Sequence, residues 1–267
     1  MVVIVGERIN STRKDVLMAI KERDGSFIMD EARRQREAGA DYIDCNAAAV
    51  GMSEEPEALA WVVELVQEAT GAPCAIDSPN PEAIRRALEV HSGQAMVNSI
   101  TAERSRFELL IPLILEHKAK VIALCIDESG MPSGLEDRLE KGRRITDMLL
   151  DAGIPPSDIY IDPLVFPISI NQENGISFLK ALAKLKELYP DANTIGGISN
   201  VSFGLPARRV LNRAFVVLAI GMGIDALILD PTDGELMSLI FATEALLGRD
   251  EFCMGYISAA REGRIRI

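Results

Sequence analysis

Histidine is nearly absent from this chain of 267 residues: His91 and His117 are the only two, and both fall at the ends of helix-like stretches. A protein-held zinc site has too few ligands to draw on. Nucleophilic catalysis by a Ser–His or Cys–His pair has no support either. The four cysteines, Cys45, Cys74, Cys125 and Cys253, form no C-x-x-C pair. Three of them lie in apolar runs, where cysteine acts as a small hydrophobe. Basic charge is also short, with 28 Lys and Arg against 40 Asp and Glu and a net charge of −12. Nucleic acid is therefore not an expected partner, because neutralising phosphates needs clustered cations. The apolar run Ala214–Gly223 is too short to span a membrane. The opening MVVIVGERIN lacks the basic start and long apolar core of a signal peptide. A cytoplasmic protein with no membrane partner is the expectation. No glycine-rich phosphate loop follows the first apolar run. The G-x-G-x-x-A match at Gly221–Ala226 precedes a strand instead of following one, so it fails the context of a dinucleotide fingerprint.

What is present is a regular alternation. Short apolar, β-rich runs recur about every 30 residues: Val2–Val5, Tyr42–Cys45, Cys74–Ile76, Ala95–Val97, Val121–Ile126, Ile159–Ile161, Thr194–Ile198 and Ala226–Leu229. Runs this short, bounded by polar turns, read as buried parallel strands. Amphipathic stretches separate them. Asn80 before Pro81 predicts a capped helix start over PEAIRRALEV, and Gly39 predicts a left-handed helix end. Leu59, Val62, Val63 and Val66 share one face of the stretch Glu57–Thr70. Eight strand–helix repeats, 48% apolar composition and no internal boundary predict one domain over residues 1–267, a closed (β/α)8 TIM barrel in the α/β class. An open doubly wound sheet is the alternative. The apolar stripe Leu236, Leu239, Ile240 reads as barrel packing.

In such a barrel the chemistry lies at the C-terminal ends of the strands. Here those ends read Gly6-Glu7-Arg8-Ile9-Asn10, Asp44 with Asn46, Asp77-Ser78, Asn98-Ser99, Asp127, Asp162, Ser199-Asn200 and Asp230. The rim is rich in Asp and Asn and has no Lys, which argues against a Schiff-base mechanism. Several Asp could hold Mg²⁺ through oxygen, and Asp or Asn at such junctions also caps the following helix. A flat heterocycle with several N–H groups and a carbonyl suits the set better. A carboxylate accepts two parallel hydrogen bonds from a ring N–H and its neighbouring amine, and an Asn amide reads an N–H beside a carbonyl. Asp77, Asn98 and Asp162, from strands three, four and six, would converge on one side of the mouth.

The segments GERIN, IDSPN around Asp77, MVNSITAER around Asn98, YIDPL around Asp162 and GGISNVSFGLPARRVLNRAF from Gly196 together resemble the methyltetrahydrofolate:corrinoid methyltransferases. That pterin-binding barrel family also takes in the folate domain of cobalamin-dependent methionine synthase and dihydropteroate synthase. The resemblance covers essentially the whole chain, and Gly196–Arg213 is its most specific part. It implies transfer of a methyl group between N5 of methyltetrahydrofolate and the cobalt of a corrinoid carried by a separate protein, in a direction left open, with no metal held by this chain. It implies that Asp77, Asn98 and Asp162 hold the pterin and that Asn200 lies beside N5 as the catalytic residue. Gly197, Ser199 and Ser202 would shape that wall, Arg208 matches a nearby basic position, and a homodimer is the implied assembly. Where the family often has Gln after Ser202, this chain has Phe203, either stacked on the ligand or filling the loop. Two alternatives stay open: a dihydropteroate synthase, whose usual Lys near the end of strand seven is missing at Asn200-Val201, and a non-catalytic folate-binding or corrinoid-docking module.

Overall fold

The computed structural model describes residues 1–266. Eight strands, β1 (Val3–Asn10), β2 (Tyr42–Asn46), β3 (Cys74–Asp77), β4 (Met96–Ile100), β5 (Lys120–Leu124), β6 (Ile159–Asp162), β7 (Asn193–Gly197) and β8 (Ala226–Leu229), close into a barrel in chain order, with β1 paired to β8. Every pairing is parallel. The expected (β/α)8 barrel is thus the fold, and the open sheet is excluded. Among the described residues ten helices wrap it: α1 (Lys14–Glu22), α2 (Gly25–Glu37), α3 (Glu55–Thr70), α4 (Pro81–Val90), α5 (Arg104–His117), α6 (Leu135–Asp151), α7 (Asn174–Leu188), α8 (Arg208–Gly221), α9 (Gly234–Leu246) and α10 (Met254–Arg261). The sequence reading did not separate α1 from α2 and ended β1 five residues early, because Glu7 and Arg8 break the apolar run that marks a strand.

Local signals act as expected. The Asn80 side chain accepts the Glu82 amide at 3.1 Å and opens α4. Gly39 takes φ 107° just beyond α2. Leu59, Val62, Val63 and Val66 of α3 are fully buried. His91 ties the end of α4 to the sheet: its Nε2 accepts the Cys74 amide at 3.0 Å.

Strand periodicity of two divides the apolar residues into two layers. Val5, Tyr42, Ala75, Met96, Ile122, Tyr160, Ile195 and Ala226 form one cluster, one residue from each strand, that fills the barrel. The alternate residues, among them Ile43, Cys45, Cys74, Ile76, Val97, Val121 and Ile161, pack with the helices in the other. Below the inner cluster the Lys120 ammonium lies 5.7 Å from the Tyr42 ring and 5.5 Å from the Tyr160 ring. The barrel axis is thus a packed core, leaving the C-terminal mouth for chemistry.

Gly196 has a packing reason. A Cβ there would sit 2.7 Å from the Phe178 ring, which is itself fully buried against Phe215. Gly196→Ala should cost about 1–3 kcal/mol by overpacking, measured as a lowered urea midpoint with unchanged slope.

Candidate active site at the barrel mouth

The same periodicity that sends Val5, Tyr42, Ala75, Met96, Tyr160 and Ala226 into the barrel sends Glu7, Asp44, Asn46, Asp77, Asn98, Asp162 and Asp230 inward, one step or two nearer the mouth. Hydrogen bonds bear this out. The Asn98 amide donates to Asp44 Oδ1 at 3.0 Å, spanning from β4 to β2 past the intervening β3, a reach available only inside the barrel. Asn46 Nδ2 donates to Asp77 Oδ2 at 3.0 Å, while its Oδ1 accepts the Ser11 hydroxyl at 2.7 Å. Asp162 Oδ1 accepts the Leu164 amide at 2.7 Å. Each of Asp77, Asn98 and Asp162 therefore has one polar atom fixed by the protein. Among the described residues, the second atom of each, Asp77 Oδ1, Asn98 Oδ1 and Asp162 Oδ2, has no hydrogen-bond partner. Three oriented acceptors in one mouth suit a ligand that brings N–H donors.

Electrostatics point the same way. Burial pushes the Asp162 carboxyl up to about 7 and the Asp77 carboxyl up to about 6. Burial and then the neighbouring Asp77 charge raise Asp44 well above the usual carboxylate range. Burial also raises Glu7 to about 6, against the hydrogen bond from Ser199. Four carboxyls of raised proton affinity in one concavity make this mouth the candidate site. A ligand N–H bound to such a carboxylate offsets the desolvation that raises it.

Two arginines brace these strand ends from behind, and no sequence pattern marks them. Arg106 of α5 donates to the Ser99 carbonyl at 2.6 Å, the Ser78 carbonyl at 3.0 Å and the Pro79 carbonyl at 2.7 Å, joining the ends of β3 and β4. Arg138 of α6, 1% exposed, donates to the Pro163 carbonyl at 2.9 Å and the Leu164 carbonyl at 3.3 Å, just beyond Asp162. Their donors are taken up by backbone oxygens, and the inward carboxyls keep their acidic field.

Beyond β7 a short 3-10 turn, Ile198–Ser202, carries the remaining candidates. Ser199 donates to Glu7 Oε1 at 2.6 Å, coupling this turn to β1. Arg208 Nε donates to the Ser202 hydroxyl at 3.0 Å, and its Nη2 to the Ser199 carbonyl at 2.7 Å. Ser202 is fully buried, so Ser202 and Arg208 hold the turn in shape. The Asn200 side chain is exposed and makes no hydrogen bond among the described residues. It lies across Gly197, where a Cβ would stand 3.2 Å from Asn200 Nδ2. Gly197 thus keeps the path of that amide clear. Phe203 is 63% exposed with the Arg208 guanidinium 5.6 Å from its ring, so it does not fill the loop. Asp127 is engaged by Ser129, Lys141 and Arg144 and, among the described residues, makes no contact with the other strand-end carboxyls. Sequence reasoning did not single out Glu7, Asp44 and Asn46 as site residues, although counting by two from Val3 and Tyr42 marks them.

Comparisons with known proteins agree with this architecture. The family model for pterin binding enzymes matches residues 6–230. A methylcorrinoid:tetrahydrofolate methyltransferase of Eubacterium limosum is 36% identical over 265 residues, covering 98% of this chain and 97% of that protein. The methionine synthase of Mycobacterium tuberculosis is 33% identical over 240 residues; the match covers 85% of this chain and 20% of that longer protein. Among solved structures, a dihydropteroate synthase from Xanthomonas albilineans superposes with a TM-score of 0.72 at 20% identity, covering 93% of both chains. One from Thermus thermophilus superposes with a TM-score of 0.68 at 21% identity, over 92% of this chain and 94% of that one. These last two carry the fold alone.

Proposed function

The chain belongs to the family of pterin-binding enzymes, and from that footing we propose how its mouth works as a methyltransferase acting between N5 of tetrahydrofolate and a corrinoid protein. The observation that carries the reading is the trio of free acceptor atoms on Asp77, Asn98 and Asp162, each residue fixed by a protein partner. The pterin lies against this arc. Its ring N–H and exocyclic amine donate to the carboxylates, and Asn98 reads the adjoining edge.

A methyl on a tertiary amine leaves only when the nitrogen gains positive character. The reverse transfer needs a lone pair on the same nitrogen. Asn200 serves both: its amide, unbonded within the protein, accepts through Oδ1 from N5–H, whether N5 is methylated and protonated or unmethylated and neutral, and so leaves the lone pair of the unmethylated nitrogen free to take the methyl group. Its contribution is aim and electrostatic stabilisation at N5. The corrinoid cobalt, carried on the partner protein, is the methyl group's other station. Microscopic reversibility gives both directions the same site. The likeness to a methylcorrinoid:tetrahydrofolate methyltransferase supports tetrahydrofolate as the acceptor.

Two surfaces fit the partners. Met131, Ile170 and Phe203, all well exposed on loops that follow β5, β6 and β7, give the mouth an apolar rim for the corrinoid protein. On the flank, Val210, Ala214, Val217, Leu218 and Leu239 of α8 and α9 line an open apolar groove of about 550 Å³, with Val210 65% and Leu218 55% exposed. Exposed apolar surface of this kind suits a second copy of the chain. Sedimentation at micromolar concentration should return twice the chain mass. Among the described residues no helix is long and apolar enough to cross a membrane. A cytoplasmic location belongs to the same proposal.

The activity is tested by mixing the protein with a methylated corrinoid protein and tetrahydrofolate and following the corrinoid spectrum. Demethylation with stoichiometric methyltetrahydrofolate is expected. Binding of both partners without methyl transfer would instead make the chain a docking module.

A further inference from the structure

A cleft of about 420 Å³ opens beside the pterin arc, between the ends of β7, β8 and β1; it shares Glu7, Ser199 and Arg208 with the methyl-transfer site, and the methyl-transfer account uses nothing else in it. Glu7 and Ser199 form its inner wall, so it is continuous with the mouth. Its outer wall comes from the first turns of α8 and α9, with Arg208, Arg209, Asn212 and Arg213.

The charges in this cleft do not cancel evenly. Asp230 is paired with Arg8 at 2.8 Å, and Arg213 is paired with Asp233 at 2.7 Å and with Glu235. Arg208 donates only to the neutral Ser202 hydroxyl and the Ser199 carbonyl. Among the described residues, neither Arg208 nor Arg209 forms a salt bridge; Glu7 and Asp233 are their nearest carboxylates, and Glu7 is bonded to Ser199 and Asp233 to Arg213 instead. The start of α8 adds to this, since Ala207 offers no side-chain cap to the N–H groups of the first turn. Asn212 contributes a different need: among the described residues, its buried Oδ1 has no hydrogen-bond partner. The cleft therefore offers guanidinium donors for carboxylates and one acceptor for an amide N–H.

The geometry points to a subsite for the glutamyl tail of the folate, with its carboxylates on Arg208 and Arg209 and its amide N–H on Asn212. This rests on the pterin reading above. With the ring on the β3–β6 arc and N5 at Asn200 beyond β7, the rest of the molecule continues past Ser199 toward β8 and β1, where the cleft lies. A tail of several linked glutamates carries both of the groups the cleft lacks. Tail length thereby becomes a determinant of affinity, acting far from the methyl group.

The test is a set of calorimetric titrations with three ligands: tetrahydropterin without a tail, monoglutamyl tetrahydrofolate and triglutamyl tetrahydrofolate. On the wild type, affinity should rise by about tenfold or more from the first ligand to the third, and the gain should shrink with added salt. Arg209→Gln should remove most of that gain and leave tetrahydropterin affinity unchanged, which also reports that the variant is folded. Equal affinity for all three ligands would overturn the tail subsite while leaving the pterin reading intact. Failure of tetrahydropterin and both folates to bind would overturn both. Inorganic phosphate competing with the triglutamyl ligand as well as free γ-triglutamate does, at matched ionic strength, would assign the cleft to a phosphate and overturn the proposal too.

Discussion

Replacing Asn200 with alanine should slow methyl transfer by about 100-fold or more while changing the dissociation constant of methyltetrahydrofolate by less than about threefold, the pattern of a contact made mainly in the transition state. The structural ground is the freedom of that amide. It lies over Gly197, is exposed, and among the described residues has no hydrogen bond to lose in the resting protein. The backbone carbonyl of Asn200, which accepts the Phe203 amide at 3.1 Å, does not depend on the side chain, so the turn should keep its shape. Thermal stability should match the wild type. Single-turnover stopped-flow separates the two quantities. Turnover preserved at saturating folate, with affinity reduced instead, would move Asn200 from catalysis to ground-state binding.

The second large effect is a trade of function for stability at Asp162. Its carboxyl is buried with no ion pair among the described residues, because Arg138 beside it is committed to carbonyls. Its proton affinity is raised from the ordinary value near 3.8 to about 7. The folded chain thus binds this proton more tightly than the unfolded chain does. The associated stabilisation is complete below about pH 4 and is lost as pH rises through about 7. A rise of that size corresponds to about 4 kcal/mol at alkaline pH. Asp162→Asn keeps an oxygen for the Leu164 amide and removes the titration, while placing an amide NH₂ in the mouth costs about 1–2 kcal/mol. The variant should be less stable than the wild type by about that amount near pH 4. At pH 8 it should be about 2 kcal/mol more stable, or about 4–8 °C in Tm for a chain of this size. It should also lose pterin binding. A stability difference that does not change between pH 4 and pH 8 would mean Asp162 is not held in a raised state.

Much of this was legible in the sequence. Eight apolar runs spaced by amphipathic stretches specify the barrel, because parallel strands are buried on both faces and each must be followed by a covering helix. The position of Asp77, Asn98 and Asp162 follows from where those runs stop. Asn200 and Gly197 were reached by resemblance, and only the coordinates relate them: the missing Cβ of one clears the amide of the other. Other features were hidden for physical reasons. Glu7 sits where the apolar run breaks, so it read as one of several rim residues after the run and was not singled out, although β1 continues through it to Asn10. Arg106 and Arg138 lie on helices, spaced like any solvent-facing arginine, and their burial depends on strand ends contributed by other parts of the chain. The cleft beside Arg208 and Arg209 is likewise a product of two helix starts meeting, which no local pattern announces.

The most direct test of the central claim is a calorimetric titration of methyltetrahydrofolate into the wild type and into Asp77→Asn, a change that keeps the volume and the acceptor facing Asn46. The account predicts saturable one-to-one binding to the wild type, weakened by about tenfold or more in the variant for one lost charge-assisted hydrogen bond. Equal affinity in the two proteins would contradict the placement of the pterin against the β3–β4–β6 arc, and no binding to the wild type would contradict a folate-dependent methyl transfer by this barrel.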